Sequence, residues 1–195
     1  DSSGISGLAN EAVTLSDTTL AASVLNTLDG HTSGTINASS INTLTGIASD
    51  LIIAYASGGI SNLGNEAVSV SSGTASTSQA NTLAAATSGV VTATLSDGDL
   101  ATLAGLTETG NAYSITITDT SVDAAALNTL DGKTTVAINA SNITTLTGAA
   151  TELSTAFASS GISGLGDENL SLTSSTVEAS VLNNLDSNTT GAVFA

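Results

Sequence analysis

Short runs of alternating apolar and small polar residues recur along this chain. Alternation places every second side chain on the same side of an extended backbone, which is typical of a β-strand with one buried face. We therefore predict strands at eight such runs, which cover residues 13–16, 34–37, 68–71, 93–96, 115–118, 136–139, 170–173 and 192–195.

The segments between these runs carry apolar residues three or four positions apart, which is the spacing of one face of an α-helix. The two longest examples are Ile41, Leu44, Ala48, Leu51, Tyr55 and Ile143, Leu146, Ala150, Leu153, Phe157. Shorter examples follow capping residues and comprise Leu20, Val24, Leu28 and Val122, Ala126, Leu130. The sequence therefore predicts strands that alternate with helices.

The chain repeats itself at an offset of 102 residues, since segment 22–42 recurs at 124–144. If one inward-facing apolar residue per run marks a coil, the coils are about 21–34 residues long, which is typical of solenoids. We predict a single domain over residues 1–195, a right-handed α/β solenoid of about eight strand–helix coils with one parallel β-sheet. An all-β solenoid is the alternative. We also expect the chain to be a fragment of a longer array.

The outward-facing positions of the predicted strands are polar and uncharged. They form two predicted ladders, with Thr14, Thr35, Ser69, Thr94, Thr116, Ala137 and Ser171 in one and Ser16, Asn37, Ser71, Ser96, Thr118, Asn139 and Thr173 in the other. Ser and Thr suit solvent-facing strand positions, which is the simpler interpretation. A binding face for ice or a glycan is an alternative function.

The charge of the chain excludes several classes of partner. Seventeen acidic residues face one Lys or Arg, so the net charge is −16. Nucleic-acid binding depends on Lys and Arg that neutralise phosphates, so no nucleic-acid partner is expected. The longest apolar run, residues 51–56, is too short to span a bilayer, so no direct membrane insertion is expected. The absence of Cys excludes disulfides and thiolate catalysis.

His31 is the only imidazole, and the corresponding positions of the other copies hold Lys133 and Asn188. A position that holds three such different side chains is typical of a solvated loop. Ser–His catalysis and general-base chemistry at neutral pH therefore have no suitable residue. We predict that the chain is not an enzyme.

Several acidic residues recur at equivalent coil positions, and calcium is bound by carboxylates together with loop carbonyls and Asn. No segment matches a known calcium-loop pattern, and helix capping explains many of the Asp residues equally well. The candidate Ca²⁺ ligands are Glu11, Glu66, Glu168, Asp29, Asp131, Asp97 and Asp99. We predict no other cofactor.

Three stretches of the sequence resemble known repeats. INASSINTLTG (36–46), AYASGGISNLGNEAVSV (54–70) and LNTLDG (25–30) are similar to repeat units of very large cell-surface and secreted proteins of marine cyanobacteria. The resemblance covers nearly the whole chain outside residues 73–112 and brings no catalytic residues with it. It implies an extracellular structural array. We expect a module of an extracellular or cell-surface fibre, stalk or adhesin that stacks end to end with itself or with further repeats.

Overall fold

The computed structural model describes residues 9–195. The chain divides into two compact units, of which the first ends at Thr94 and the second comprises Leu95–Ala195. Both units are built from coils in which short parallel strands precede a helix.

In the first unit, two strands lead into each helix. The elements are β1 (Val13–Thr14), β2 (Thr19–Ala21), α1 (Ala22–Asp29), β3 (Ile36–Asn37), β4 (Thr43–Gly46), α2 (Ala48–Ala56), β5 (Ile60–Ser61), β6 (Ala67–Val70), α3 (Thr77–Ala86) and β7 (Val91–Thr94). Helix α2 packs between α1 and α3.

The second unit opens with a single-turn helix and then repeats the arrangement. Its elements are α4 (Leu100–Leu103), β8 (Ala112–Ser114), β9 (Ser121–Asp123), α5 (Ala124–Asp131), β10 (Ile138–Asn139), β11 (Thr145–Gly148), α6 (Ala150–Ala158), β12 (Ile162–Ser163), β13 (Asn169–Leu172), α7 (Ala179–Asn188) and β14 (Val193–Phe194). Consecutive helices from α4 to α7 pack against each other. The predicted α/β fold is confirmed, and these helices rule out the all-β alternative.

Parallel pairing fixes the length of a coil. One ladder of the first unit joins Val13, Ile36 and Ile60, and another joins Leu20, Leu44, Val68 and Val91. A ladder of the second unit joins Val122, Leu146, Leu170 and Val193. Successive partners in these ladders are 23 or 24 residues apart in the chain, so one coil takes about that length.

The coil length and the sheet arrangement differ from the predicted coils of 21–34 residues on one sheet. The strands form several sheets, and the inward-facing residues from which the coil lengths were counted lie in different ones. Ile36 lies in β3, whereas Val70 lies in β6, a strand of a different sheet. The stretch of chain from Ile36 to Val70 therefore contains one full coil, which runs from Ile36 to its partner Ile60, and also the segment that leads from β5 to β6.

The long predicted helices are also shorter than expected, because their first part is a strand. Leu44 lies in β4, and α2 begins only at Ala48. Between them Gly46 has φ of +151°, a conformation that L side chains rarely adopt and that a helix does not contain. Leu20 and Val122 likewise belong to strands β2 and β9 rather than to helices.

Small aliphatic side chains fill the interior of the coils. Leu25, Leu51 and Leu83, one from each helix of the first unit, are completely buried. Tyr113 is the one aromatic residue buried to this degree among residues 9–195. Its burial, with a smaller effect of the Glu108 charge, raises the pKa of Tyr113 to about 12. No helix of this part of the chain has the length and apolar character needed to cross a membrane.

Candidate functional site

The carboxylate of Glu66 closes the loop between β5 and β6. Glu66 is only 1% exposed, although an isolated buried carboxylate is unfavourable. The backbone amide of Gly64 donates to Oε2 at 2.9 Å, and the amide of Asn65 donates to the same oxygen at 3.2 Å. The hydroxyl of Tyr55, from α2, donates to Oε1. Because three donors surround it, this carboxylate serves as a structural part of its loop.

The same loop recurs in the second unit without the tyrosine. Glu168 is fully buried and accepts hydrogen bonds from the amides of Gly166, at 2.9 Å, and Asp167, at 3.2 Å. Phe157 stands at the position of Tyr55, so the hydroxyl donor is missing. In the first unit, burial and the hydrogen bond to Glu66 raise the pKa of Tyr55 above its ordinary value.

A threonine of the following coil donates a hydrogen bond to each of these loops. Thr87 Oγ1 donates to the carbonyl oxygen of Glu66, and Thr189 Oγ1 donates to that of Glu168, both at 2.6 Å. The glycine two residues after each threonine lies so close that an added Cβ would overlap the glutamate backbone. The recurring tripeptides 32–34, 87–89 and 189–191 are the sequence signal for this contact, which the sequence analysis missed.

Of the three glutamates at equivalent coil positions, Glu11 is the exposed one. Its carboxylate accepts one hydrogen bond, from the amide of Asn10 at 3.2 Å, while its carbonyl oxygen accepts from Thr32 Oγ1 at 2.7 Å. The threonine contact is therefore present at all three glutamates, whereas closure of the loop by a buried carboxylate is seen at Glu66 and Glu168.

Asp29 and Asp131 form a second kind of contact between coils. Ser57 Oγ donates to Asp29 Oδ2 at 2.7 Å, and Ser159 Oγ donates to Asp131 Oδ2 at 2.6 Å. Each serine Oγ also accepts a hydrogen bond from the backbone amide two residues further along the chain. For Ser159 this is the amide of Gly161. These carboxylates therefore join the C-terminal ends of neighbouring helices.

Asp99 caps a helix, and Asp97 lies half-buried in the loop before it. The backbone amide of Thr102 donates to Asp99 Oδ1 at 2.8 Å. Hydrogen bonds from the side chain and the amide of Thr102 hold the pKa of Asp99 below its usual value.

The structure does not assemble the predicted calcium ligands. Among residues 9–195, no three His, Asp or Glu side chains form a group that could hold a metal ion. Glu66 and Glu168 are directed into their own loops, and Asp29 and Asp131 accept from serines. Calcium binding stays a prediction, and none of these contacts supports it.

The two predicted hydroxyl ladders are wrong in register. Thr14 pairs with Asn37, whereas Ser69, predicted for the ladder of Thr14, belongs to another sheet and pairs with Thr92. Thr116 pairs with Asn139 instead of Ala137. The errors are of two kinds. Residues of different sheets were aligned as neighbours, as at Ser69, and the register between paired strands is two residues off, as at Thr14 and Thr116.

Comparison with known proteins gives no assignment. No family model matches the chain, and neither the curated proteins nor the solved structures contain a significant match.

Proposed function

We propose that this chain is a non-enzymatic structural module of an extracellular or cell-surface fibre, stalk or adhesin, in which coil stacks on coil. One observation carries the proposal: the same side-chain contacts between coils occur twice, 102 residues apart. Thr87 and Thr189 bond the preceding glutamate loops, and Ser57 and Ser159 bond the preceding aspartates.

These contacts involve the side chains that would otherwise be candidates for chemistry. The buried carboxylates of Glu66 and Glu168 accept hydrogen bonds within the protein, so they offer no open site to a substrate or ion. A hydrogen bond to a charged group contributes about 1.5–3 kcal/mol net, and an uncharged partner left unsatisfied costs about 1–3 kcal/mol. In a repeat protein such terms add up over neighbouring coils, which favours a mechanical role.

Stretching single molecules between marker domains tests the mechanical role. A coil of about 24 residues has a contour length of roughly 80 Å. We expect resistance to extension and release in steps of that order, because each coil contacts its neighbours. Extension at negligible force, without steps, would refute the proposal. Repeating the measurement with added calcium tests the calcium alternative, which predicts a higher unfolding force.

A matched pair of variants shows whether the contacts between coils carry the force. Thr87→Val removes the hydroxyl that bonds Glu66, and it should lower the release force of the first unit. Thr82→Val is the control, because Thr82 is exposed and its hydroxyl bonds Ser78 within the same helix at 2.9 Å. Equal effects of the two variants would contradict the assignment.

A further inference from the structure

We propose that Asn139 is an acceptor site for N-linked glycosylation of the folded chain. The inference rests on the proposed extracellular function, since the tripeptide Asn-x-Ser/Thr is the acceptor motif for N-linked sugars on surface loops of secreted proteins. The motif begins at five asparagines, which are Asn37, Asn139, Asn142, Asn169 and Asn188. So short a motif recurs by chance in a chain rich in Ser and Thr, so the structure around each side chain must decide between them.

Three of the five side chains are held in ways that oppose modification. The sugar would be carried by the amide nitrogen Nδ2, and in Asn142 this atom donates to the carbonyl oxygen of Ile117 at 2.8 Å. In Asn188, at the end of α7, Nδ2 donates to the carbonyl oxygen of Asn184 at 3.0 Å. The motif of Asn169 lies entirely within β13, which is paired with a strand on both sides.

The motif of Asn139 instead forms a turn at the exposed end of β10. Asn139 itself is exposed, while Ala140, the middle residue of the motif, is completely buried and anchors the turn. The backbone amide of Ser141 donates to Asn139 Oδ1 at 3.1 Å, which is an Asx-turn. Because an N–H group can only donate, this bond identifies the oxygen and directs Nδ2 of the planar amide away from the turn. None of the hydrogen bonds found in residues 9–195 uses Nδ2 of Asn139, so the nitrogen is open to reaction.

The neighbours of Asn139 leave room for a sugar. Its ladder partners Thr116 and Ser163 are both exposed, so the surrounding sheet face is open to solvent. Gly164 lies beside Ser141, and a Cβ added to this glycine would come within 2.9 Å of the Ser141 amide nitrogen. Glycine at this position therefore keeps the third residue of the motif uncovered. A glycan on this face would stand in solvent and leave the contacts between coils in place.

The first unit contains the same motif in a more closed form. Asn37 lies 102 residues earlier, and its Oδ1 accepts from the backbone amide of Ser39, also at 3.1 Å. Asn62, at the position of Gly164, donates to the same oxygen at 2.8 Å, and Asn37 is half-buried. A second hydrogen bond therefore holds this side chain and partly covers it. Asn139 should be the better acceptor of the two.

The reaction joins Asn139 Nδ2 to the anomeric carbon of a sugar. The donor is a sugar activated by a phosphate leaving group at that carbon. As the carbon–nitrogen bond forms, the bond from the anomeric carbon to the phosphate oxygen breaks, and the phosphate group leaves with the bonding electrons. A base of the transferase takes one proton from Nδ2, and nothing is oxidised or reduced. The product is an uncharged, bulky and solubilising group on the surface.

Incubation of the folded chain with an N-glycosyltransferase and a nucleotide sugar tests the proposal, and peptide mass spectrometry locates each added sugar. Peptides of residues 35–43 and 137–145, on which the activity of the enzyme is confirmed first, are the unstructured reference. In the folded chain we expect modification at Asn139 and none at the three side chains that the structure opposes. Asn37 should react about two- to tenfold more slowly than Asn139, the factor that corresponds to breaking one hydrogen bond first.

Two variants separate recognition of the motif from folding. Ser141→Ala removes the hydroxyl of the motif but keeps the backbone amide of the Asx-turn, so modification of Asn139 should be lost at unchanged stability. Asn62→Gly copies Gly164 into the first unit, and glycine suits this residue because its φ is +64°. In this variant Asn37 should become as reactive as Asn139.

The outcomes that contradict the proposal are distinct. If Asn139 stays unmodified in the folded chain while the peptide 137–145 reacts, the proposal is overturned. Equal rates at Asn37 and Asn139 in the parent chain would overturn the role assigned to Asn62. Urea midpoints verify that the variants fold, and Asn139→Gln replaces Ser141→Ala if that variant does not. The stretching experiment uses unmodified protein, so the structural function can hold or fail independently.

Discussion

Replacing Tyr55 by phenylalanine removes one hydroxyl, the group that donates to Glu66, and leaves the ring in place. The second unit already contains phenylalanine at this position, Phe157, beside the equivalent Glu168. Phe157→Tyr is therefore the reverse change in the same environment. We expect Tyr55→Phe to destabilise the first unit and Phe157→Tyr to stabilise the second.

The expected size of the effect follows from the contacts of Glu66. A hydrogen bond to a charged group contributes about 1.5–3 kcal/mol. Glu66 keeps its bonds from the amides of Gly64 and Asn65, and Tyr55 is only half-buried, so the lower end of this range applies. For a chain of this length, about 1.5 kcal/mol corresponds to a shift in Tm of roughly 3–6 °C.

The pH dependence of the effect also follows from the structure. Burial and the bond to Glu66 raise the pKa of the Tyr55 hydroxyl in the folded state. A raised pKa means that the contribution is fully present below the unfolded value, about 10, and is lost only as pH rises through the folded value. The difference between Tyr55→Phe and the parent chain should therefore persist up to about pH 10.

Thermal and urea unfolding, combined with amide hydrogen exchange, measure the two effects separately. In Tyr55→Phe, the amide of Gly64 should exchange faster, while that of Gly166 in the second unit keeps its rate. In Phe157→Tyr, Gly166 should become better protected. If Tyr55→Phe leaves the exchange of Gly64 and the Tm unchanged, or if Phe157→Tyr lowers stability, the reasoning from this contact is wrong.

Three further changes test other contacts. Gly89→Ala should cost about 3 kcal/mol or more, because the new Cβ would overlap the backbone of Glu66, whereas Gly58→Ala, with nothing within 4 Å, should be close to neutral; urea midpoints compare the two. Asp131→Ala should cost about 1.5 kcal/mol through the lost serine bond to the carboxylate, with an unchanged urea m-value, and a changed m-value would point to a different cause. Asp99 has a lowered pKa, so its capping contribution is present above the unfolded pKa and is lost as pH falls through the folded one. The Thr102 amide should therefore lose protection in acid, and Asp99→Asn should remove that pH dependence.

Much of the architecture could be predicted from the sequence, because alternation and helical spacing are local signals. The runs at 68–71 and 170–173 lie within one residue of β6 and β13. Strands β2, β4, β9 and β11 were missed, because the apolar residue at the centre of each continues the apolar spacing of the next helix. Leu44 illustrates this, since it faces the interior from β4 just as Leu51 does from α2.

The candidate site was predicted in position but not in chemistry. Glu66 and Glu168 do share one environment, as their equivalent positions indicate. Their partners are amides of their own loops, which depend on a turn where Gly64 and Gly166 have φ of +129° and +141°. A residue pattern does not specify such a turn, so an ion and a backbone amide were equally reasonable partners for the carboxylate.

The two copies within the chain also indicate which parts of the surface the fold requires. Several positions that join one coil to the next are unchanged across the 102-residue offset, although Tyr55 is replaced by Phe157. The unchanged positions include Asn26, Asp29, Ser57, Gly59 and Glu66, with their equivalents Asn128, Asp131, Ser159, Gly161 and Glu168. Positions on the outer helix surface include changed residues, such as Ile53 and Thr155, as well as unchanged ones, such as Thr27 and Thr129. Constancy at the contacts between coils is what a module requires when its function lies in the stacking of the coils themselves.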